Sequence, residues 1–239
     1  MTSNLLRPTG SQVGDRVWPV ERGYDLVAEA YDHWYWQAFW RANEFPLVAQ
    51  VLKAHVTSLT ALDAGTGTGL YLSLLQQNGY TSTGLDISLE MIRSARKNLG
   101  ADARLVQGAL EAGPFRTAEF DVVIASRVLS HIERLDEAMN ELARVTKRGG
   151  RLVLTDVSAQ HKYVRTRIPT RAGDVHIETF KHDIADLLSD ARRFGAWQVE
   201  RIESVRFCDL IEPPDPAEYP SIDASSCSPI FFYGVMRRE

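Results

Sequence analysis

The sequence predicts an α/β protein with a doubly wound, mostly parallel β-sheet that has helices on both faces. Short apolar runs, typical of buried strands, alternate with amphipathic segments, typical of helices. Strands that alternate with helices in this way imply right-handed crossovers and parallel pairing. The chain has 239 residues, which is enough for one such domain with a single core.

The alternation occupies the middle of the chain. The apolar runs predict strands at 59–64, 81–87, 103–108, 120–126 and 150–157. Between them, the amphipathic segments predict helices at 70–78, 89–99 and 135–146. The last helix precedes Gly149 and Gly150, and a glycine after a helix is a common C-terminal cap.

The two ends of the chain differ from this pattern. Residues 1–20 contain prolines and glycines without periodicity, which predicts a flexible leader, and residues 21–56 are rich in aromatic residues and predict helices. After a core at 57–157, a long connection at 158–181 precedes a helix at 182–195 and strands at 197–209 and 228–238. Two strands without a helix between them predict an antiparallel hairpin. The segment 182–239 is therefore a helix followed by a hairpin, and it closes a single domain that we predict at 21–239.

Composition excludes several classes of protein. The formal net charge of −4 argues against a protein that wraps a nucleic-acid backbone, which needs a basic surface. The two cysteines, Cys208 and Cys227, form no Cys-x-x-Cys pair, so no metal site is predicted. Because we find neither a signal-peptide pattern nor a run of 18 apolar residues, we predict a cytoplasmic protein without a membrane partner.

The stretch "ALDAGTGTGL" at 61–70 predicts a ligand site after the first strand of the core. A triphosphate loop needs Lys followed by Ser or Thr at the helix start, where Leu70 and Tyr71 stand. A dinucleotide site would use Asp86 at the end of the second strand, but Leu70 takes the place of the third glycine. The charge of Asp63, two residues before the first glycine, suits a bound ammonium better than a phosphate.

Four motifs in order resemble those of class I S-adenosylmethionine-dependent methyltransferases. They are "LDAGTGTG" (62–69), "GLDISLEMI" (84–92), "FDVVIASRVLSHI" (120–132) and "RVTKRGGRLVLTD" (144–156). The resemblance covers about residues 24–156 and implies a Rossmann-like, seven-stranded sheet whose last strand is antiparallel. It also implies S-adenosyl-L-methionine as the cofactor and S-adenosyl-L-homocysteine as the product.

The resemblance implies the cofactor contacts residue by residue. The carboxylate of Asp86 would accept hydrogen bonds from both ribose hydroxyls, whereas a strand-end acid that caps the next turn is the alternative. The family often has an aspartate at the position of Ala109, so adenine recognition would rest on backbone groups there or on a water. The complete set of expected cofactor-binding residues is Tyr24, Tyr31, Asp63, Ala64, Gly65, Thr66, Gly67, Gly69, Asp86, Ile87, Met91, Ala109, Leu110, Ser126 and Arg127.

The aromatic segment at 21–56 resembles the lid of related small-molecule methyltransferases. Its pattern "YD..A..YD" is formed by Tyr24, Asp25, Ala28, Tyr31 and Asp32. Two tyrosines seven residues apart share one face of a helix, and aromatic faces attract cations such as a sulfonium. The alternative is that the aromatic residues pack the helices on the sheet, and this alternative is favoured for the tryptophans.

Methyl transfer needs a general base only when the nucleophile must lose a proton. His182 and His176 are the candidates for that role, although a helix-terminal residue without a catalytic role is the favoured alternative for His182. His131 matches a position at which the family often has a structural histidine. The connection at 158–181 also carries Lys162, Arg165, Arg167 and Arg171, which could bind a carboxylate or phosphate of the substrate or form a solvated basic surface.

The sequence therefore predicts methyl transfer to an N, O or C nucleophile of a small molecule, for example a specialised metabolite. One alternative is the same chemistry on RNA or protein. The other is a cofactor-binding partner subunit without activity. The acceptor and the oligomeric state are not predicted, because this architecture supports many chemistries.

Overall fold

A computed structural model describes residues 16–52, 58–162, 165–194, 197–215, 219 and 228–239. The described part contains ten strands: β1 (Val17–Trp18), β2 (Thr60–Ala64), β3 (Thr81–Asp86), β4 (Arg104–Gln107), β5 (Phe120–Ser126), β6 (Thr146–Val157), β7 (Thr166–Thr170), β8 (Gly173–Ile177), β9 (Trp197–Arg206) and β10 (Pro229–Arg238). Its α-helices are α1 (Val20–Tyr31), α2 (Tyr35–Asn43), α3 (Phe45–Val51), α4 (Leu70–Gln77), α5 (Leu89–Leu99), α6 (Leu135–Val145) and α7 (Ile184–Phe194).

Seven strands form the main sheet in the order β4-β3-β2-β5-β6-β10-β9. The five strands from β2 to β6 pair in parallel, and β10 is antiparallel to both of its neighbours, β6 and β9. The predicted fold class is confirmed, including the antiparallel last strand and the closing hairpin. The chain order reverses direction between β2 and β5, and in sheets of this kind a ligand binds at that point, beyond the carboxyl ends of the strands.

The sheet separates two apolar layers. In β5, Val122 and Ile124 belong to the layer with α1 to α5, whereas Val123 and Ala125 belong to the layer with α6 and α7. This alternation follows the two-residue period of a strand that is buried on both faces. Trp36 and Trp40 are buried in the first layer, as the packing interpretation of the tryptophans expects.

The predicted glycine cap of α6 is wrong in its position. The helix ends at Val145, because Thr146 already has extended backbone angles (φ −77°, ψ 133°). The chain then continues directly into β6, which begins four residues earlier than predicted. Gly149, with a φ of 77°, therefore lies inside the strand segment and not at the end of a helix.

A second, three-stranded sheet with the order β1-β8-β7 was not predicted. The hairpin of β7 and β8 lies in the connection at 158–181, and β1 pairs in parallel with β8. This pairing corrects one end of the predicted leader, since 17–18 form a strand and α1 begins at residue 20. Residues 1–15 lie outside the described part of the chain. The division of the chain at 21, 56, 157 and 181 stays a prediction.

Candidate active site

A cavity of about 330 Å³ lies at the carboxyl ends of the parallel strands, below α1 and α2. This volume is in the range of small-molecule and cofactor sites. We call it the large cavity. Twelve residues of the predicted cofactor set line it: Tyr24, Tyr31, Gly65, Thr66, Gly67, Asp86, Ile87, Met91, Ala109, Leu110, Ser126 and Arg127.

The glycine loop is attached to the neighbouring strand by its own backbone. The N–H groups of Gly65 and Thr66 both donate to the carbonyl oxygen of Leu85, each at 2.8 Å. Gly69 has a φ of 94°, and a Cβ there would lie 2.7 Å from Leu99 Cδ1. Gly69 is therefore needed for the packing of α4 on α5, which explains why it does not line the cavity.

Asp86 presents a carboxylate to the large cavity from the end of β3. Its Oδ2 accepts a hydrogen bond from Gly67 N at 2.8 Å, and its Oδ1 accepts one from Ser88 N at 2.9 Å. A carboxylate has about four acceptor positions, so roughly two remain for hydroxyl groups of a ligand. Burial raises the pKa of Asp86 to about 6, against the effect of these two hydrogen bonds.

Asp63, expected beside a bound ammonium, does not reach the cavity. It is 1% exposed, and its Oδ2 accepts a hydrogen bond from Thr66 Oγ1 at 2.6 Å. Burial raises the pKa of Asp63 to about 7. The structure thus places Thr66 in the cavity wall, while Asp63 and Ala64 are buried and do not line it.

Two aspartates of the lid motif connect α1 to the loops of the cofactor cavity. Asp25 Oδ1 accepts hydrogen bonds from Ser88 Oγ at 2.7 Å and from Glu90 N at 3.2 Å, at the start of α5. Asp32 Oδ1 accepts one from Thr68 Oγ1 at 2.7 Å, beside the glycine loop. The two YD pairs therefore share one arrangement. In each pair the tyrosine lines the large cavity, and the following aspartate accepts a hydrogen bond from a loop at the edge of that cavity.

Replacing Asp25 with alanine is expected to loosen the lid over the start of α5. The variant loses two hydrogen bonds, one of them to a first-turn N–H, and the loss of such a contact costs about 0.5–2 kcal/mol. We expect faster amide hydrogen exchange at Glu90 and along α1. Exchange in α6, on the other face of the sheet, is the internal control, and equal acceleration there would indicate global destabilisation instead.

His131 is the histidine that lines the large cavity. Loss of hydration lowers the pKa of His131 to about 4, so the ring is neutral at neutral pH. Its Nδ1 lies 2.7 Å from the carbonyl oxygen of Glu178 and must donate, which makes Nε2 the acceptor for the hydroxyl of Tyr24 at 2.7 Å. The sequence indicated only a structural position for this residue.

The two histidines that the sequence favoured lie elsewhere. His182 Nε2 donates to the carbonyl oxygen of Ile132 at 2.7 Å, and His176 lies on β8, where it pairs with Val17 of β1. Neither lines the large cavity. Their role as general base stays a prediction that this geometry does not support.

A buried carboxylate supports the floor of the cavity. Glu44 is 0% exposed, and its Oε2 lies 3.0 Å from Nε of Arg127. Its Oε1 accepts hydrogen bonds from the hydroxyls of Ser126 and Thr155. Burial alone would lower the pKa of Arg127. The negative charge of Glu44 outweighs this effect and raises that pKa above its ordinary value. Arg127 also has a left-handed φ of 53° and lies over the ring of Trp40, with Cζ 5.1 Å from the centroid.

The basic residues of the connection contribute little to the cavity. Arg167 donates through Nε to Oδ2 of Asp174 at 2.7 Å, across the β7–β8 hairpin. Lys162, Arg165 and Arg171 do not line the large cavity either. By contrast, Gln37 lines it, is 3% exposed, and has an amide nitrogen without a hydrogen-bond partner among the described residues. That N–H₂ group is available to an acceptor on a ligand.

The fold and the cavity together define an α/β protein with a cavity of cofactor size at its topological switch point. Residues 62–154 match the family model described as a methyltransferase domain. This match confirms the resemblance to class I S-adenosylmethionine-dependent methyltransferases that the four motifs predict. Of the part of the chain that the structure describes, no helix is long and apolar enough to cross a membrane.

Relatives and a solved structure agree with this family. A malonyl-[acyl-carrier protein] O-methyltransferase of Erwinia pyrifoliae is 38% identical over 101 residues, which cover 42% of this chain and 38% of that one. A demethylmenaquinone methyltransferase of Tropheryma whipplei is 28% identical over 155 residues, 61% of this chain and 62% of that one. The chain therefore spans less than two thirds of the length of either relative. An S-adenosylmethionine-dependent methyltransferase structure from Mesorhizobium loti superposes with a TM-score of 0.62 at 18% identity, covering 82% of this chain and 97% of that one, and shows the same fold.

Proposed function

We propose that this chain transfers the methyl group of S-adenosylmethionine to an N, O or C nucleophile of a small molecule. The observation that carries the proposal is the carboxylate of Asp86, which is held by Gly67 N and Ser88 N and keeps acceptor positions open toward the large cavity. The two relatives are named for a malonyl group on an acyl-carrier protein and for demethylmenaquinone, and both names support a small chemical group as the acceptor.

The lining residues fit the parts of this cofactor. Asp86 would bind the ribose hydroxyls, and Ile87, Met91 and Leu110 would surround the adenine. The amide nitrogen of Gln37, which lacks a partner among the described residues, would donate to the carboxylate of the methionine part. When bound, S-adenosylmethionine supplies an activated methyl group on a positively charged sulfur.

The contribution of the chain is alignment and exclusion of water. Tyr24 and Tyr31 cover the cavity with their rings 6.0 Å apart and nearly perpendicular, and aromatic faces stabilise a nearby positive charge. If the acceptor must lose a proton, the hydroxyl of Tyr24 and Nε2 of His131 form the hydrogen-bonded pair that can take it up. His131 is neutral at neutral pH and so has the lone pair that this task needs, while its pKa of about 4 makes it a weak base.

The experiment that tests the cofactor is calorimetry with S-adenosylhomocysteine, with NAD and ATP as controls. We expect binding of S-adenosylhomocysteine alone, because Leu70 takes the place of the third glycine of a dinucleotide loop and the Lys-Ser/Thr of a triphosphate loop is missing. Methyl transfer by the purified chain to small-molecule extracts then separates an enzyme from an inactive partner subunit. A steep salt dependence of acceptor binding would favour RNA instead.

Cofactor affinity is expected to fall as the pH is lowered through about 6. Burial raises the pKa of Asp86 to about 6 in the free protein, and the protonated carboxyl loses acceptor capacity for the ribose hydroxyls. Titrations of S-adenosylhomocysteine between pH 5 and 8 should therefore show weaker binding on the acid side. The Asp86→Asn variant should bind S-adenosylhomocysteine weakly, with an affinity that does not change with pH. If its affinity still fell below pH 6 as in the parent protein, the effect would belong to another group.

The acceptor is also proposed to be anionic. The sequence placed the recognition of such a group in the 158–181 connection, where Arg167 is already paired with Asp174. A different cation, Arg127, lies in the cavity wall itself.

A further inference from the structure

A second, smaller cavity adjoins the large cavity behind Arg127. We call it the small cavity; its volume is about 40 Å³. It shares part of its wall with the large cavity, namely Tyr24, Tyr31, Arg127 and His131. Since one buried water needs about 10–15 Å³ on this measure, the small cavity holds about three heavy atoms. That is the size of a single functional group and not of a whole substrate.

The wall of the small cavity offers hydrogen-bond donors. Trp34 lines it and is 8% exposed, and its indole N–H is buried without an acceptor among the described residues. Arg127 contacts Glu44 and Ser126 through Nε only, so its two terminal nitrogens make no hydrogen bond within the described part of the chain. Leaving a buried donor unpaired is costly, which points to a ligand that supplies the acceptors.

The charged side chain in the wall of the small cavity is Arg127, whose Nε is paired with Glu44 outside that wall. Of its described lining residues none is an aspartate or glutamate. Burial lowers the pKa of His161 to about 4, and loss of hydration does the same for His131, so both rings are neutral at neutral pH. Arg127 is thus the charged side chain of this wall. Aromatic walls attract cations, but Arg127 would repel a cationic group of a ligand.

The cofactor does not need these donors. Gln37 lines the large cavity, and its buried amide nitrogen, which has no partner among the described residues, is the donor proposed for the methionine carboxylate. Trp34 lines the small cavity and not the large one. The indole N–H of Trp34 therefore remains for a second ligand, and Arg127, which lines both cavities, can present its terminal nitrogens to the same ligand.

We propose that the small cavity binds a carboxylate group of the methyl acceptor, held by the terminal nitrogens of Arg127 and by the indole N–H of Trp34. The proposal rests on the proposed function, since it names the substrate class of the same site. A guanidinium presents two parallel N–H groups that match the two oxygens of a carboxylate, and the indole N–H supplies a third donor. The remainder of the acceptor would lie in the large cavity beside the sulfur.

The test uses the full chain saturated with S-adenosylhomocysteine and two sets of probes of equal shape. One set is propionate, propionamide and propylamine, and the other is benzoate, benzamide and benzylamine. Affinities are measured by titration while the indole N–H resonances are followed by NMR. We expect the carboxylates to bind most tightly in each set and to shift the resonance of Trp34.

A matched pair of variants isolates the indole donor. Trp34→Phe removes the N–H and keeps an aromatic ring, and it should weaken carboxylate binding roughly fivefold to tenfold, as expected for one net hydrogen bond. Trp197→Phe is the control, because the indole N–H of Trp197 is likewise buried without a partner among the described residues but lies on β9, away from both cavities. It should leave carboxylate binding unchanged.

Arg127→Lys keeps the charge and loses the paired donors, so it should reduce the preference for carboxylates over amides.

The outcomes separate the two proposals. If S-adenosylhomocysteine binds but the amide or amine binds as well as the carboxylate, or if Trp34→Phe and Trp197→Phe behave alike, the carboxylate site is contradicted alone. If S-adenosylhomocysteine does not bind, the proposed function fails, and the acceptor role of the small cavity fails with it. Carboxylate preference that is lost in Trp34→Phe supports the assignment.

Discussion

Replacing Asp86 with alanine is expected to weaken the binding of S-adenosylhomocysteine about 10- to 100-fold. The physical reason is that hydrogen bonds to a charged group contribute about 1.5–3 kcal/mol net, and the substitution removes the acceptor of the ribose hydroxyls. The carboxylate is also the acceptor of Gly67 N, so its loss frees part of the glycine loop. Calorimetric titration of the variant and the parent protein measures the effect.

The control for this variant is Asp121→Ala. Asp121 lies near the start of β5, at the opposite end of the sheet, and accepts hydrogen bonds from Thr60 N and from Lys147. Its loss should leave the affinity for S-adenosylhomocysteine within about twofold of the parent value, as expected for a distant site. An Asp86→Ala variant that binds as tightly as the parent would contradict the ribose assignment and favour the turn-capping alternative.

Replacing Glu44 with glutamine is expected to lower the free energy of unfolding by about 3–5 kcal/mol. Glu44 is 0% exposed and pairs with Arg127, which is itself largely buried in the cavity floor. The neutral amide leaves the guanidinium without its counter-charge in a place from which water is excluded. It also gives the hydroxyls of Ser126 and Thr155 a weaker acceptor. Urea unfolding followed by fluorescence measures the difference.

The matched control is Glu203→Gln. Glu203 forms an ion pair with Arg201 at 2.8 Å on β9, where both side chains are more than 40% exposed. Exposed pairs contribute about 0–1 kcal/mol, so this variant should unfold at nearly the urea concentration of the parent. If the two variants lost equal stability, the Glu44–Arg127 pair would not be the buried support described above. A loss in Glu44→Gln alone establishes it.

Local sequence patterns predicted the frame of the molecule well. The run at 120–126 became β5 with the predicted bounds, and 89–99 became α5, since period and length distinguish a buried strand from an amphipathic helix. The hydropathy pattern did not predict the second sheet, which consists of β1, β7 and β8. These strands have two to five residues and little alternation, and only their pairing stabilises them.

Most of the residues that the sequence predicts for the cofactor line the large cavity, because they follow directly from strand ends. Gly65, Gly67 and Asp86 stand at the carboxyl ends of β2 and β3, and parallel strands bring these ends to one edge of the sheet. The exception is Asp63. It stands within β2, whose side chains alternate between the faces of the sheet, and it is buried against Thr66 instead of lining the cavity.

The sequence by itself therefore determined the fold, the resemblance to the family and the position of the glycine loop at the large cavity. Tertiary structure alone decided which side chains complete the site. Tyr24 meets His131 across 107 positions, and Glu44 meets Ser126 across 82. Neither pair is signalled by spacing, because helical and strand periods relate only residues within a few positions of each other. Contacts between distant segments arise when helices dock on the sheet, and that docking makes His131, Arg127 and Trp34 neighbours of one cavity.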